Sequence, residues 1–150
     1  IEKLIDQNVK IALSGNLNKV TQKTRKRMED VIEKTKDNDT LTLNIAFSYG
    51  SRQEVVDAFK KLSIEVKNQD INIDDVEYKD IQKCFYQPDI PDPDLLIRTA
   101  GDKRISNFLL LQIAYTELYF TDVLWPDFSE ENLDEALSEF NKRIRRYGKR

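Results

Sequence analysis

Residues 41–49, LTLNIAFSY, place Leu41, Leu43, Ile45, Phe47 and Tyr49 on one face of an extended chain and Thr42, Asn44, Ala46 and Ser48 on the other. A period of two is the signature of a strand, because a helix returns a side chain to the same face only every 3.6 residues. The strand ends at Gly50 and runs into Ser51-Arg52-Gln53-Glu54. That is the spacing of a capping box, in which Ser51 caps a helix and Glu54 reaches back to the cap's amide. Val55, Ala58, Phe59, Leu62 and Val66 then follow at core spacing for the helix so opened.

The same alternation of elements runs along the chain. IEKLIDQ resembles the last turns of a helix, and Val9, Ile11 and Leu13 alternate with Lys10, Ala12 and Ser14 ahead of Gly15 and Asn16, a strand and its turn. Val20, Met28, Val31 and Ile32 mark a polar helix over about 18–36. A weaker helix is expected over about 75–86, then the loop QPDIPDPD, then a strand at Leu95, Leu96 and Ile97. From Ser106 the apolar spacing predicts a helix to about Glu117, and Leu118 to Val123 a short strand. Ser129, Glu130 and Glu131 open a last helix with the stripe Leu133, Ala136, Leu137, Phe140 and Ile144; its acidic start and basic end suit the helix dipole. Strands alternating with helices predict an α/β fold with a largely parallel central sheet flanked by helices, in one domain spanning 1–150.

Composition narrows the chemistry. With 24 Lys and Arg against 27 Asp and Glu, the net charge of −3 gives no general reason to expect nucleic-acid binding, and any basic function is local. The chain has no histidine, which removes His-based triads, a His general base and His-ligated zinc. A metal would be held by carboxylates and by a ligand's own oxygens, which favours Mg²⁺. A single cysteine, Cys84, forms no internal disulfide, and no apolar stretch approaches the roughly 20 residues that span a bilayer. A reducing cytoplasm and a soluble or peripherally attached protein fit these features. The chain begins at Ile1, with neither Met nor a signal peptide, and reads as the interior of a longer polypeptide.

The segment LLIRTAGDKRISNF, 95–108, concentrates the chemistry. Ligands of open parallel sheets collect beyond the carboxyl ends of the strands. Arg98 and Thr99 finish a strand there, Gly101 permits a close turn, and Ser106 is placed to cap the following helix, whose first amides favour an anion. Arg98 and Arg104 add two forked cationic donors that match phosphate oxygens. Two arginines and a hydroxyl within nine residues suit a diphosphate better than one carboxylate. Spacing leaves a second reading open: the arginines pair with Asp92, Asp94 or Asp102 on an ordinary surface.

The string PDPDLLIRTAGDKRISNFLLLQIAYTELYFTDVLWPDF resembles the signature of the cis-prenyltransferases, the undecaprenyl diphosphate synthase family, and the likeness extends upstream through LTLNIAFSYGSR and downstream to RRYG. The resemblance implies that Arg98, Arg104 and Ser106 bind the diphosphate of isopentenyl diphosphate, and that Glu117 assists Mg²⁺. It also implies a homodimer in which Arg146 and Gly148 reach the partner's substrate site. A frayed basic tail is the plainer reading of KRIRRYGKR. Eleven residues of straight helix from Ser106 to Glu117 would span roughly 16 Å. Glu117 and the diphosphate ligands would then serve different ends of a site, or a site shared across the dimer.

Departures from the family pattern include Ala100, Asp102 for a usual Glu, Ser48 and Ser51 in the Asn-Tyr-Gly-Gly-Arg turn, and Leu111 for a common Trp. The family's Asp-Gly-Asn-Gly-Arg-Trp loop, which carries its catalytic aspartate, and its Phe-Ser-x-Glu-Asn-Trp segment appear nowhere in the chain. No catalytic residue is therefore expected here, and the chain reads as the C-terminal part of an enzyme that condenses isopentenyl diphosphate onto an allylic diphosphate such as farnesyl diphosphate. The product would be a long polyprenyl diphosphate of the undecaprenyl type, whose lipid character allows peripheral membrane contact. A non-catalytic partner subunit of the same fold is the alternative; finding the Asp-Gly-Asn-Gly-Arg-Trp loop upstream of Ile1 would discard it.

Overall fold

The computed structural model describes residues 2–144. It divides into two compact units, 1–90 and 91–150, each described by itself.

In the first unit, helix α1 (Glu2–Asp6) ends where Asn8 turns left-handed at φ 56°, and strand β1 (Val9–Gly15) follows. β1 pairs in parallel with β2 (Leu41–Phe47), from Val9 opposite Leu41 to Gly15 opposite Phe47. Between them runs helix α2 (Gln22–Thr35), whose first turn is capped by Thr21. Its last residue fastens it to the sheet: the fully buried Thr35 hydroxyl accepts from the Ile11 amide at 3.0 Å and donates to the Val31 carbonyl at 2.9 Å. Gly15 is required, since at φ 116° a Cβ would lie 2.1 Å from the Phe47 carbonyl oxygen.

Helix α3 (Ser51–Lys67) begins one residue earlier than the capping box predicts, with Gly50 in the cap position and Ser51 as a buried first helical residue. Glu54 is buried and accepts from the Tyr86 amide at 3.0 Å and from the Tyr49 hydroxyl, so its carboxylate ties the strand end to a distant loop. A buried carboxylate needs such donors. The helix core is Ala58 and Leu62 against Cys84 and Phe85, while Val55 and Phe59, expected inside, are exposed. The weaker helix expected over 75–86 is α4 (Tyr78–Lys83), opened by Asp80 accepting from the Glu77 amide at 3.1 Å.

In the second unit, β3 (Leu95–Arg98) and β4 (Glu117–Phe120) pair in parallel, Leu95 opposite Glu117 and Arg98 opposite Phe120. β4 stops three residues short of the expected Val123. Helix α5 (Glu130–Lys142) is capped by Ser129 as expected, with Ala136 its buried residue. The helix expected from Ser106 is absent: 106–115 is a run of turns. Ser106, Asn107 and Leu109 are left-handed, at φ 54°, 64° and 46°, which no right-handed helix tolerates. Ile105, Leu109 and Ile113 are still half-buried, so turns satisfy the spacing that reads as helical in the sequence. Both strand pairs are parallel and accompanied by helices, the α/β arrangement expected; they form two separate two-stranded ladders.

Candidate diphosphate site

The second unit brings the three predicted diphosphate ligands together. Arg98 is the last residue of β3, at the carboxyl edge of the ladder, and the loop beyond it is pinned to the segment after β4: Thr121 donates to the Arg98 carbonyl at 3.0 Å, Ala100 to Val123 at 2.8 Å and Gly101 to Thr121 at 2.9 Å. Ala100 and Gly101 are both left-handed, at φ 66° and 71°, and turn the chain so that Asp102 and Arg104 come back beside Arg98.

There the two arginines share one acceptor. Arg98 Nη2 donates to Asp102 Oδ2 at 2.9 Å and Arg104 Nη2 to the same oxygen at 2.5 Å. The other fork of Arg98 donates to the Ser106 hydroxyl at 3.2 Å. A small cleft of about 140 Å³, lined by Leu96, Ile97, Arg98, Arg104, Ile105 and Phe108, opens beside them. Both alternatives from the spacing thus meet in one arrangement: the arginines pair with Asp102, and through it they converge with Ser106. The donors are side chains alone, because Ser106 sits in a turn and caps no helix. A phosphate oxygen placed where Asp102 Oδ2 lies would receive the same two guanidinium bonds.

Glu117 lies elsewhere. As the first residue of β4, opposite Leu95, it is three register steps from the level of Arg98, roughly 10 Å along a strand. Its Oε2 accepts from Arg143 Nη1 at 3.0 Å, and the same nitrogen donates to the Leu118 carbonyl at 2.9 Å. Arg143 also pairs with Glu139, and these two carboxylates hold its guanidinium above its ordinary range, Glu139 foremost. The predicted 16 Å helix between Ser106 and Glu117 is replaced by turns and a strand start, yet the two residues remain at opposite edges of the ladder. Among the described residues no group of three or more carboxylates and thiols is placed to hold a metal ion. Glu117 offers a single carboxylate, so the donor set of this chain alone does not fit a Mg²⁺ centre. Arg146 and Gly148 lie outside the described residues.

Arg143 was not legible as the partner of Glu117. Its i, i+4 relation to Glu139 is a sequence signal; its pairing across 26 residues with Glu117 has none.

The first unit carries a wider polar cleft of about 800 Å³ at the carboxyl ends of β1 and β2, lined by Asn16, Arg25, Tyr49, Gln53, Asp57 and Tyr86 among others. Tyr86 donates to Asp57 at 2.7 Å, which holds that carboxyl below the usual range; burial, then Asp57, pushes the Tyr86 phenol up. An apolar cavity of about 240 Å³ lies among Leu4, Ile11, Leu13, Met28, Val31 and Leu43.

This α/β chain gathers two arginines and a serine at the carboxyl edge of parallel strands, where ligands of open α/β sheets collect. Residues 1–148 match the family model described as putative undecaprenyl diphosphate synthase. The chain belongs to this family, the cis-prenyltransferases. It is 50% identical over 145 residues to an isoprenyl transferase of Fusobacterium nucleatum, covering 97% of this chain and 60% of that protein. It is 47% identical over 150 residues to one of Rickettsia prowazekii, covering all of this chain and 64% of that protein. A lavandulyl diphosphate synthase from Lavandula x intermedia, in complex with dimethylallyl diphosphate, superposes with a TM-score of 0.94 at 29% identity, covering 99% of this chain and 64% of that one. A probable undecaprenyl diphosphate synthase from Campylobacter jejuni gives 0.85 at 34% identity, over 99% and 67%. The chain spans about three fifths of the length of the curated relatives it matches.

Proposed function

We propose that this chain carries the isopentenyl diphosphate site of a cis-prenyltransferase that elongates an allylic diphosphate, such as farnesyl diphosphate, into a long polyprenyl diphosphate of the undecaprenyl type. The convergence of Arg98 and Arg104 on one Asp102 oxygen, with Ser106 bonded to Arg98, carries this reading. Arg98 and Arg104 would take the terminal phosphate oxygens in place of Asp102, and Ser106 would add a hydroxyl donor. Held this way, the diphosphate fixes the position of the attached double bond, which is the nucleophile of the condensation. The arginines do positioning and charge neutralisation.

Mg²⁺, homodimerisation, and contributions from Glu117, Arg146 and Gly148 belong to this proposal for the whole enzyme. When bound, Mg²⁺ would neutralise the leaving diphosphate; no step of the reading depends on it.

Calorimetric titration of isopentenyl diphosphate into the folded chain, beside an Arg98→Ala, Arg104→Ala double variant, tests the reading. Binding that the double change abolishes supports it. Equal binding by a folded double variant refutes it.

A further inference from the structure

We propose that Arg143 is a positioning residue for Glu117, and that Glu117 contributes to the reaction only while Arg143 holds its carboxylate. The proposal rests on the reading, given above for the whole enzyme, that Glu117 contributes to the reaction. Arg143 occupies the C-cap of α5, where the backbone has already left the helix at φ −81° and ψ 139°, and its side chain spans back to β4. One guanidinium nitrogen serves both the Glu117 carboxylate and the Leu118 carbonyl, and the other pairs with Glu139. Three acceptors on two elements fix the guanidinium plane, and the fixed plane in turn fixes Glu117 Oε2.

The pair is shielded as well as aligned: each side chain is 28% exposed, well below the surface ion pairs that contribute little. A glutamate at the first position of a strand otherwise has three rotatable bonds and no reason to keep one geometry. Lysine at 143 would supply the charge but not the planar fork that reaches Glu117, Leu118 and Glu139 together. The clamp also lies at the ladder edge opposite Arg98, so its loss leaves the diphosphate ligands in place.

The test is a double-mutant cycle in the full-length protein with Glu117→Gln, Arg143→Gln and their combination, plus Arg143→Lys. It reads kcat, KM for isopentenyl diphosphate, and thermal unfolding without substrate or metal. Two groups acting as one unit give non-additive losses. Glu117→Gln and Arg143→Gln are each expected to lower kcat roughly 10-fold with KM within about 2-fold, and the double variant to be about as slow as either single, not roughly 100-fold slower. Unfolding temperatures are expected to couple in the same way, and Arg143→Lys to recover part of kcat; if Arg143→Gln does not fold, the Lys variant decides. A slow Glu117→Gln beside an Arg143→Gln of normal kcat overturns the proposal and leaves the Glu117 reading standing. So does a lowered unfolding temperature with unchanged kcat, or an additive double variant. Normal turnover by Glu117→Gln overturns both, without touching the Arg98 site.

Discussion

Replacing Arg98 is predicted to weaken diphosphate binding far more than replacing Arg104, for reasons visible in their surroundings. The Arg98 side chain is 25% exposed and bonds Asp102 and Ser106 with separate nitrogens, whereas that of Arg104 is 66% exposed and, among the described residues, bonds Asp102 alone. Charge-assisted bonds in partly buried surroundings contribute about 1.5–3 kcal/mol and exposed pairs about 0.2–1 kcal/mol. Arg98→Ala should then raise the Kd for inorganic pyrophosphate roughly 12- to 160-fold, and Arg104→Ala roughly 1.4- to 5-fold. Arg98→Lys should fall between, roughly 10-fold weaker, because an ammonium keeps the charge and loses the fork. Calorimetry with pyrophosphate, with unfolding curves to confirm folded samples, measures all three. Equal losses at 98 and 104, or a lysine that binds like wild type, would refute the reasoning from burial and geometry.

Three further outcomes follow from other parts of the molecule. Gly15→Ala should cost about 3–5 kcal/mol in urea unfolding, since left-handed strain adds to a backbone clash; Gly101→Ala, whose Cβ would meet only the Asp122 side chain at 3.0 Å, should cost about 1 kcal/mol. Asp57, held low by Tyr86, contributes stability that is present above the unfolded carboxyl value of about 4 and lost as pH falls through its lowered folded value. Acid-unfolding curves of Asp57→Asn should therefore show a shallower loss over that window. Residues 1–150, which lack the Asp-Gly-Asn-Gly-Arg-Trp loop, should elongate no prenyl chain in a product assay with farnesyl and isopentenyl diphosphates; turnover by a sample free of longer polypeptide would contradict this.

Much of the fold was legible because local rules agreed with tertiary demands. The period-two run at 9–15, Gly15 at the strand end and Ser129 at the last helix stand where the sequence places them, and the run at 41–49 is a strand as far as Phe47. The segment after Ser106 was not, because its apolar spacing is compatible with a helix while the connection from β3 to β4, residues 99–116, folds as turns with Ser106, Asn107 and Leu109 left-handed. Glu54 misled for a related reason: its spacing suits a cap, but burial beside Tyr49 and Tyr86 gives its carboxylate other donors. At the site, the grouping of Arg98, Arg104 and Ser106 followed from nine contiguous residues. The pairing of Glu117 with Arg143 depends on how α5 packs against β4, which no local pattern encodes.

The most direct test of the central claim is a crystal structure of the full-length protein with isopentenyl diphosphate bound. Phosphate oxygens are expected within hydrogen-bond distance of Arg98, Arg104 and Ser106, with at least one guanidinium bond to Asp102 exchanged for the ligand. A diphosphate bound elsewhere, with both arginines still on Asp102, would contradict it.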